Sequence, residues 1–136
     1  MEKIIYITDE EREKCQQVVS AFAELYELTD VIVVDAGKYG FVKLQYYREP
    51  QGFEVISTFT DSGKLFDALW QDWLEEQILS SVLGTSLEEL EYEEIFALLP
   101  KEKQEELIDK KTYFESKVSF RILPLREPEN ALRGRR

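Results

Sequence analysis

The chain has 136 residues, of which 28 are acidic and 17 are basic, so its formal net charge at neutral pH is −11. Hydrophobic residues make up 43% of it, which is too many for a disordered chain and enough, at this length, for one domain with its own core. With no histidine and one cysteine, the chain cannot use Ser-His-Asp or Cys-His catalysis, form an internal disulfide or hold zinc with four thiolates.

The N-terminal part of the chain predicts a strand followed by a helix. Residues 3–8 form a short run of β-branched and aromatic side chains, which favours a strand. Thr8 and Glu11 then have the spacing of a capping box, which marks the start of a helix that we expect to end near Leu28. The apolar positions of this helix recur at the spacing of one buried face and are Cys15, Val18, Val19, Phe22 and Tyr26.

Three further strands are predicted between residues 30 and 60. The strand at residues 30–36 is apolar on both faces, which is typical of a covered, central position. A turn with two glycines at residues 37–40 connects it to a strand at residues 41–49, and a Pro-Gln-Gly turn leads on to residues 53–60. The middle strand alternates with a period of two, with Val42, Leu44 and Tyr46 on one face and Lys43, Gln45 and Tyr47 on the other.

Helices are predicted for the rest of the chain up to about residue 114. Asp61 and Ser62 are suitable caps for a long helix that is apolar around most of its circumference and ends at Gly84. A second capping-box pattern predicts an acidic helix at residues 86–99, and Pro100 fits the start of a last helix at residues 101–114. The order β-α-β-β-β-α-α-α predicts an α+β fold, with an antiparallel meander sheet, helices on one face and a helical C-terminal extension.

The charge is unevenly distributed along the chain. Residues 117–136 contain six basic and two acidic residues, a net charge of +4, which leaves −15 on residues 1–116. The last segment also contains prolines and no periodic pattern, so we expect a single acidic domain at residues 1–116 and a basic, poorly ordered tail at residues 117–136. Such a tail could also fold onto the acidic body.

The same composition limits the location and the partners. The longest aliphatic run has four residues, far short of the roughly 20 that a membrane-spanning helix needs, and the N-terminus lacks the pattern of a secretory signal. These features predict a soluble cytoplasmic protein. Because phosphate contacts need clustered Lys and Arg, the sequence pI of about 4.6 argues against direct binding of nucleic acid or anionic membranes by the body of the protein.

Three patterns that could carry chemistry have plainer interpretations. The Gly-Lys-Tyr-Gly sequence at residues 37–40 follows a strand, but a phosphate-binding loop would run into a helix, and here a strand follows. Cys15 lies on the apolar face of its helix, where a buried cysteine acts as a small hydrophobe rather than a nucleophile. The carboxylates of the long helix are typical of a solvated face. No catalytic, cofactor-binding or metal-binding residue is therefore predicted.

The strongest candidates for a binding surface are acidic and aromatic. Five glutamates lie within seven residues on the helix predicted at 86–99, and more carboxylates follow on the next helix; such a face could occupy a basic groove by imitating the field of a nucleic acid. Exposed tyrosine and tryptophan side chains are frequent hot spots at interfaces. The candidate partner-binding residues are Glu88, Glu89, Glu91, Glu93, Glu94, Glu102, Glu105, Glu106, Asp109, Tyr47, Trp70 and Trp73.

Two stretches carry a resemblance to known proteins. The sequence from Asp30 to Tyr47, together with Leu-Pro-Lys-Glu-Lys-Gln-Glu-Glu-Leu at residues 99–107, resembles a group of small acidic proteins from mobile elements of Gram-positive gut bacteria. The resemblance spans about residues 1–116 and carries over no functional residue. It implies a setting in which small accessory proteins inhibit defence systems or neutralise toxins.

Composition and resemblance lead to one functional hypothesis and three alternatives. The hypothesis is a non-enzymatic, acidic protein-binding module that engages a basic protein, such as a nuclease or defence enzyme, as a nucleic-acid mimic. The first alternative is a toxin-immunity or antitoxin protein that contacts its partner through the sheet or the aromatic residues. The others are a carboxylate-only enzyme that gathers Asp35, Asp67 or Asp72 in a pocket, and a structural homodimer.

Overall fold

The first helix begins where the sequence predicts, because Thr8 Oγ1 accepts a hydrogen bond from the backbone N–H of Glu11 at 3.1 Å. In the computed structural model, which describes residues 5–120, this helix is α1 (Asp9–Ala21). A break at Phe22 separates it from α2 (Ala23–Leu28), so the single predicted helix is two. The break places the Phe22 ring in the centre of the core, where it stacks on Phe114 with 4.4 Å between ring centroids.

The strand predicted at residues 3–8 is wrong for the part that the structure describes. Residues 5–8 belong to no strand, and residues 3 and 4 lie outside the described range. The backbone N–H of Ile7 donates to the carbonyl of Lys38 at 3.0 Å, but a lone contact does not make a ladder. A β-branched composition favours a strand only where a partner strand is available, and residues 5–8 pair with no strand of the described range.

The three remaining strands form the predicted antiparallel meander, with β1 (Val31–Asp35), β2 (Phe41–Arg48) and β3 (Gln51–Phe59) in the order β1-β2-β3. The prediction that β1 is the central, doubly covered strand is wrong, because β2 lies between the other two. Burial along β1 falls from Val31, which is 9% exposed, to Val34, which is 37% exposed. The apolar run of β1 is thus an edge strand with one uncovered face.

Lys43 defines which face of the sheet is covered. Its Nζ lies 2.6 Å from Asp72 Oδ2 on the long helix, and Lys43 is 9% exposed. Phe41, two residues earlier, points the same way and is 3% exposed. Because side chains alternate along a strand, the intervening residues of β2 point away from the helices. We call this the outer face of the sheet; its members are Ile32, Val34, Val42, Leu44, Tyr46, Arg48, Gln51, Phe53, Val55 and Thr58.

The long helix α3 (Ser62–Val82) confirms its predicted bounds and organises the core. Asp61 Oδ1 accepts from the backbone N–H of Lys64 at 2.9 Å and caps the helix. Gly84, with φ of +86°, follows its C-terminal end. The helix packs against α1, α2, α4 and the sheet, so its circumference is buried on several sides. Its fully buried core residues are Leu65, Phe66 and Leu69.

The single acidic helix predicted at residues 86–99 is wrong. The structure has a 3₁₀ turn at Ser86–Glu89, an extended Leu90 and then α4 (Tyr92–Leu98). The capping box of α4 is formed by Glu91 and Glu94 instead of the predicted Ser86 and Glu89. Leu87, before the interruption, and Ile95, after it, both pack on the core.

The last helix is α5 (Lys101–Glu115), close to its predicted range. Packing continues beyond residue 116, because Val118 is 8% exposed and Phe120 contacts the core. Ser119 also donates two hydrogen bonds to Gln17 Oε1. The folded part therefore extends to at least residue 120, and the rest of the predicted tail, residues 121–136, lies outside the described residues. The α+β class, the meander and the C-terminal helices are confirmed.

Gly40 should tolerate substitution far less than Gly37, although both have positive φ values of +101° and +70°. A Cβ at Gly40 would overlap the carbonyl oxygen of Phe59, whereas a Cβ at Gly37 meets open space. We expect Gly40→Ala to cost about 3 kcal/mol or more of unfolding free energy and Gly37→Ala about 1 kcal/mol, measured by urea denaturation. Equal losses would contradict the close packing of Gly40 on β3.

Removing one partner of the Lys43–Asp72 pair should destabilise the protein more than replacing both partners with apolar residues. Asp72→Ala leaves a buried ammonium without its partner, which costs about 3 kcal/mol or more. The double change Lys43→Met and Asp72→Leu replaces the pair with apolar groups and is expected to cost about 1 kcal/mol or less. Chemical denaturation of the two variants gives the comparison, and a single variant as stable as the double one would refute it.

Candidate protein-binding site

A groove on the helical side of the molecule brings several predicted residues together. It has a volume of about 640 Å³, within the range of sites that hold ligands or peptide side chains, and it is open to solvent. We call it the helical groove. Its lining residues come from α3, the start of α4, and α5, and they are Trp70, Gln71, Leu74, Glu75, Ile78, Glu91, Tyr92, Glu93, Phe96, Ile108 and Lys111.

The floor of the helical groove is apolar and rigid. Trp70, Leu74 and Ile78 are spaced four residues apart and so form one stripe along α3. The Trp70 ring is half-buried and stacks on Trp73 with 5.4 Å between centroids and 17° between planes. Phe114 meets the edge of this pair at 6.3 Å from Trp70. Trp70 is therefore held in place before any partner arrives, as an interface anchor requires.

The rim of the helical groove is acidic. Glu75, Glu91 and Glu93 contribute three carboxylates, against the single ammonium of Lys111. Glu75 Oε2 accepts a hydrogen bond from Gln71 Nε2 at 2.9 Å, which orients that carboxylate. Glu93 is exposed. An apolar floor with a carboxylate rim is complementary to a segment that presents apolar side chains flanked by Lys or Arg.

Gln104 fixes the position of α4 as one wall of the groove. Its Nε2 donates to the carbonyl of Phe96 at 2.8 Å and to that of Leu99 at 3.1 Å. These carbonyls lie at the C-terminal end of α4, where the Phe96 carbonyl also accepts a hydrogen bond from the backbone N–H of Leu99 at 3.1 Å. One side chain of α5 thereby satisfies the end of α4 and holds Phe96 over the groove.

The other predicted carboxylates do not form one surface with the groove. Glu88 Oε2 accepts from the backbone N–H of Gly84 at 2.6 Å, and Glu94 Oε1 accepts from the N–H of Glu91 at 3.1 Å. These two side chains stabilise backbone turns, which gives them a structural role. The remaining predicted carboxylates are exposed and lie outside the groove lining, on the 3₁₀ turn and on α5: Glu89, Glu102, Glu105, Glu106 and Asp109.

Two of the three predicted aromatic contacts lie away from the groove. Trp73 is 5% exposed and belongs to the core, so it cannot present its ring to a partner in the way we predicted. Tyr47 is exposed near the end of β2, on the side of the strand that Lys43 occupies, and its hydroxyl donates to Glu54 Oε1 at 3.0 Å. Trp70 is the aromatic prediction that the structure brings into the groove.

Sequence reasoning missed most of the residues that line the groove. Glu75, Tyr92, Phe96 and Ile108 had not been chosen as binding residues. The available signal was α3 itself, which is apolar around more of its circumference than packing on one face explains. The stripe that starts at Trp70 is the part left over once the core face is assigned.

The carboxylates that the sequence offers for catalysis do not pair with one another. Asp35 pairs with Arg12, Asp72 pairs with Lys43, and Asp67 lies elsewhere on α3. Cys15 is fully buried, and burial, with the nearby carboxylates of Glu11 and Asp61, raises its thiol pKa to about 12. The arrangement gives no support to a carboxylate pocket or a thiolate nucleophile.

Two further findings concern metals and membranes within residues 5–120. No group of three or more Cys, Asp or Glu side chains in this range is placed to hold a metal ion. None of the helices in the same range is both long enough and apolar enough to span a bilayer.

Comparison of the whole chain with protein-family models, with curated proteins and with solved structures finds no match.

Asp67 should lower the stability of the protein at neutral pH. Burial raises the pKa of its carboxyl above the ordinary 3.8, nearby Asp61 and Glu115 add to the rise, and Lys111 opposes it. Oδ2 is buried without a hydrogen-bond partner in the described structure. Because the folded state holds this proton more tightly than the unfolded state, stability falls as pH rises through the pKa of the folded carboxyl.

We therefore expect Asp67→Asn to raise the melting temperature at neutral pH, with the difference from the wild type shrinking as the pH falls through the raised pKa of the folded carboxyl toward 3.8. Asp109→Asn, which removes an exposed carboxylate from α5, is the matched control and should change the melting temperature little. Thermal unfolding followed by circular dichroism across this pH range makes the measurement. A difference in melting temperature that grows as the pH falls would show that the predicted direction of the effect is wrong.

Proposed function

We propose that this chain is a non-enzymatic protein-binding module that takes a basic partner protein in the helical groove. The observation that carries the proposal is the combination of an apolar floor, anchored by Trp70, with the carboxylates of Glu75 and Glu93 on the rim. Charge alone would attract many cations without specificity. An apolar floor beneath the charges selects a segment that can bury side chains while its basic groups reach the rim.

The distribution of charge over the whole domain supports a basic partner. Residues 5–120 contain 25 acidic and 11 basic side chains. A field of this sign would steer a cationic protein toward the groove and speed the association at low ionic strength. The exposed carboxylates outside the groove contribute to this steering without contacting the partner.

Proteins that handle nucleic acids are the partner class that this chemistry fits best. Their binding channels concentrate Lys and Arg to contact phosphates, so an acidic protein can compete for the same channel. The sequence resemblance to small acidic proteins of mobile elements implies a setting in which the target within that class is a nuclease or defence enzyme. Inhibition of such an enzyme by charge mimicry is the activity we propose. A toxin-immunity protein is the alternative, and it predicts a complex whose dissociation depends weakly on salt.

The groove can be tested with two short amphipathic peptides, one of leucine and lysine and one of leucine and glutamate. Because Trp70 lies in the groove, tryptophan fluorescence reports binding directly. We expect the lysine peptide to bind and the glutamate peptide not to bind. In the full chain, Glu75→Gln with Glu93→Gln should weaken lysine-peptide binding by about tenfold, the sum of two modest rim charges.

A matched control variant distinguishes contacts within the groove from the effect of the total charge of the protein. Glu102→Gln with Glu105→Gln removes the same charge from exposed positions of α5 outside the groove. This control variant should bind the lysine peptide nearly as tightly as the wild type does. Equal losses in the two double variants, or equal binding of the two peptides, would overturn the groove as the binding site.

A further inference from the structure

One segment of the chain's own sequence is complementary to the helical groove. Residues 121–126 have the sequence Arg-Ile-Leu-Pro-Leu-Arg, in which three aliphatic side chains lie between two arginines. The groove has an apolar floor, and the carboxylates of Glu75, Glu91 and Glu93 lie on its rim. Aliphatic side chains that enter the floor while the flanking guanidinium groups meet the rim would satisfy both parts of this surface.

The lengths of the segment and of the groove floor agree. Pro124 has no backbone N–H and disfavours a helix, so the sequence favours an extended ligand. In an extended chain the aliphatic part, from Ile122 to Leu125, spans about 10 Å. The apolar stripe of α3 from Trp70 to Ile78 is about 12 Å long, since each helical residue adds about 1.5 Å. One extended segment therefore covers the floor.

The described part of the chain ends within reach of the groove. The Phe120 ring lies 5.5 Å from Lys14 Nζ, and this ammonium lies 3.6 Å from Glu11 Oε2. The other oxygen of Glu11 accepts from the backbone N–H of Ser62, the first residue of α3, at 2.7 Å. Phe120 is thus beside the start of α3, and Trp70 follows eight residues, about 12 Å, along that helix. Six extended residues span about 20 Å, so residues 121–126 are long enough to reach the floor.

We infer that residues 121–126 bind in the helical groove of the same molecule and compete there with the partner protein. The inference rests on the groove of the proposed function, but the contact itself needs no partner. A segment tethered this closely has an effective concentration in the millimolar range, so even weak binding fills the groove for most of the time. A partner has to displace it, which lowers the partner's apparent affinity.

A nitroxide label at residue 127 tests the contact in the full chain. Glu127→Cys provides the attachment site, and Cys15 does not compete for the label because it is fully buried. Nitroxides quench tryptophan fluorescence only at short range, and the chain's two tryptophans are Trp70 in the groove and Trp73 at 5.4 Å from it. We expect strong quenching that does not depend on protein concentration. Most of it should be lost with the label at Gly134→Cys, about 23 Å further along an extended chain.

Rim variants of the labelled Glu127→Cys chain show whether the groove is the place of contact. Glu75→Gln with Glu93→Gln should remove most of the quenching, whereas Glu102→Gln with Glu105→Gln, outside the groove, should leave it unchanged. Equal quenching from residues 127 and 134, or equal losses in the two double variants, would overturn the inference. Quenching that rises with protein concentration would also overturn it, because the segment would then lie in the groove of a second copy.

Competition with a partner is measured with the peptide of leucine and lysine. Arg121→Glu with Arg126→Glu should raise the affinity of the full chain for this peptide by about tenfold, because the segment no longer occupies the groove. Arg133→Glu with Arg135→Glu changes the charge by the same amount and should raise the affinity much less. Equal gains would contradict the inference. A peptide that binds none of these chains would contradict the proposed function instead, and the nitroxide result would still decide whether the segment occupies the groove.

Discussion

The inward orientation of Lys43 determines which surfaces this protein presents. Its ammonium is buried against Asp72 of α3, and that contact fixes the register between the sheet and the long helix. Because β2 has a period of two, anchoring Lys43 inward forces Val42 and Leu44 outward. The ammonium of Lys43 is thus in the interior, and the aliphatic side chains of Val42 and Leu44 are on the outer face. A buried pair of this kind is costly to desolvate, and it is retained here where it decides which face of the strand meets the helices.

Helix α3, which carries Asp72, packs against several elements at once. One part of α3 packs on α1 and the sheet, and another lines the groove with α4 and α5. Crowding of this kind leaves local defects: Asp67 Oδ2 and Trp73 Nε1 are both buried without a hydrogen-bond partner in the described structure. The helix that holds the core together also carries the groove floor, so core and proposed binding site share one element.

Local signals predicted much of the fold correctly. Thr8 and Asp61 cap the helices that the sequence assigns to them, and the glycines at 37 and 40 connect antiparallel strands. The incorrect predictions concern features that tertiary packing decides. Residues 31–34 look central because all are apolar, but strand order depends on which neighbours pair and is not encoded within the run. In the same way, the period of β2 shows which residues share a face without showing which face is covered.

The candidate site was less predictable than the fold. Glu91, Glu93 and Trp70 were identified from composition, but their convergence depends on the interruption at Leu90, which turns the acidic segment into two short pieces. Trp73 was misassigned because a tryptophan three residues from another on an apolar helix can face either the core or a partner. The floor residues from α4 and α5 meet Trp70 only in the folded chain, and no spacing in the sequence could have shown it.

The α4 wall of the groove has a consequence for how this protein can diversify. Of the residues in α4, only Ile95 is buried, and the end of the helix is held by the amide of Gln104. A seven-residue helix has little intrinsic stability, so its position depends on those few attachments. Substitutions at the exposed positions around Glu93 can therefore change the shape and charge of this wall at small cost to the core.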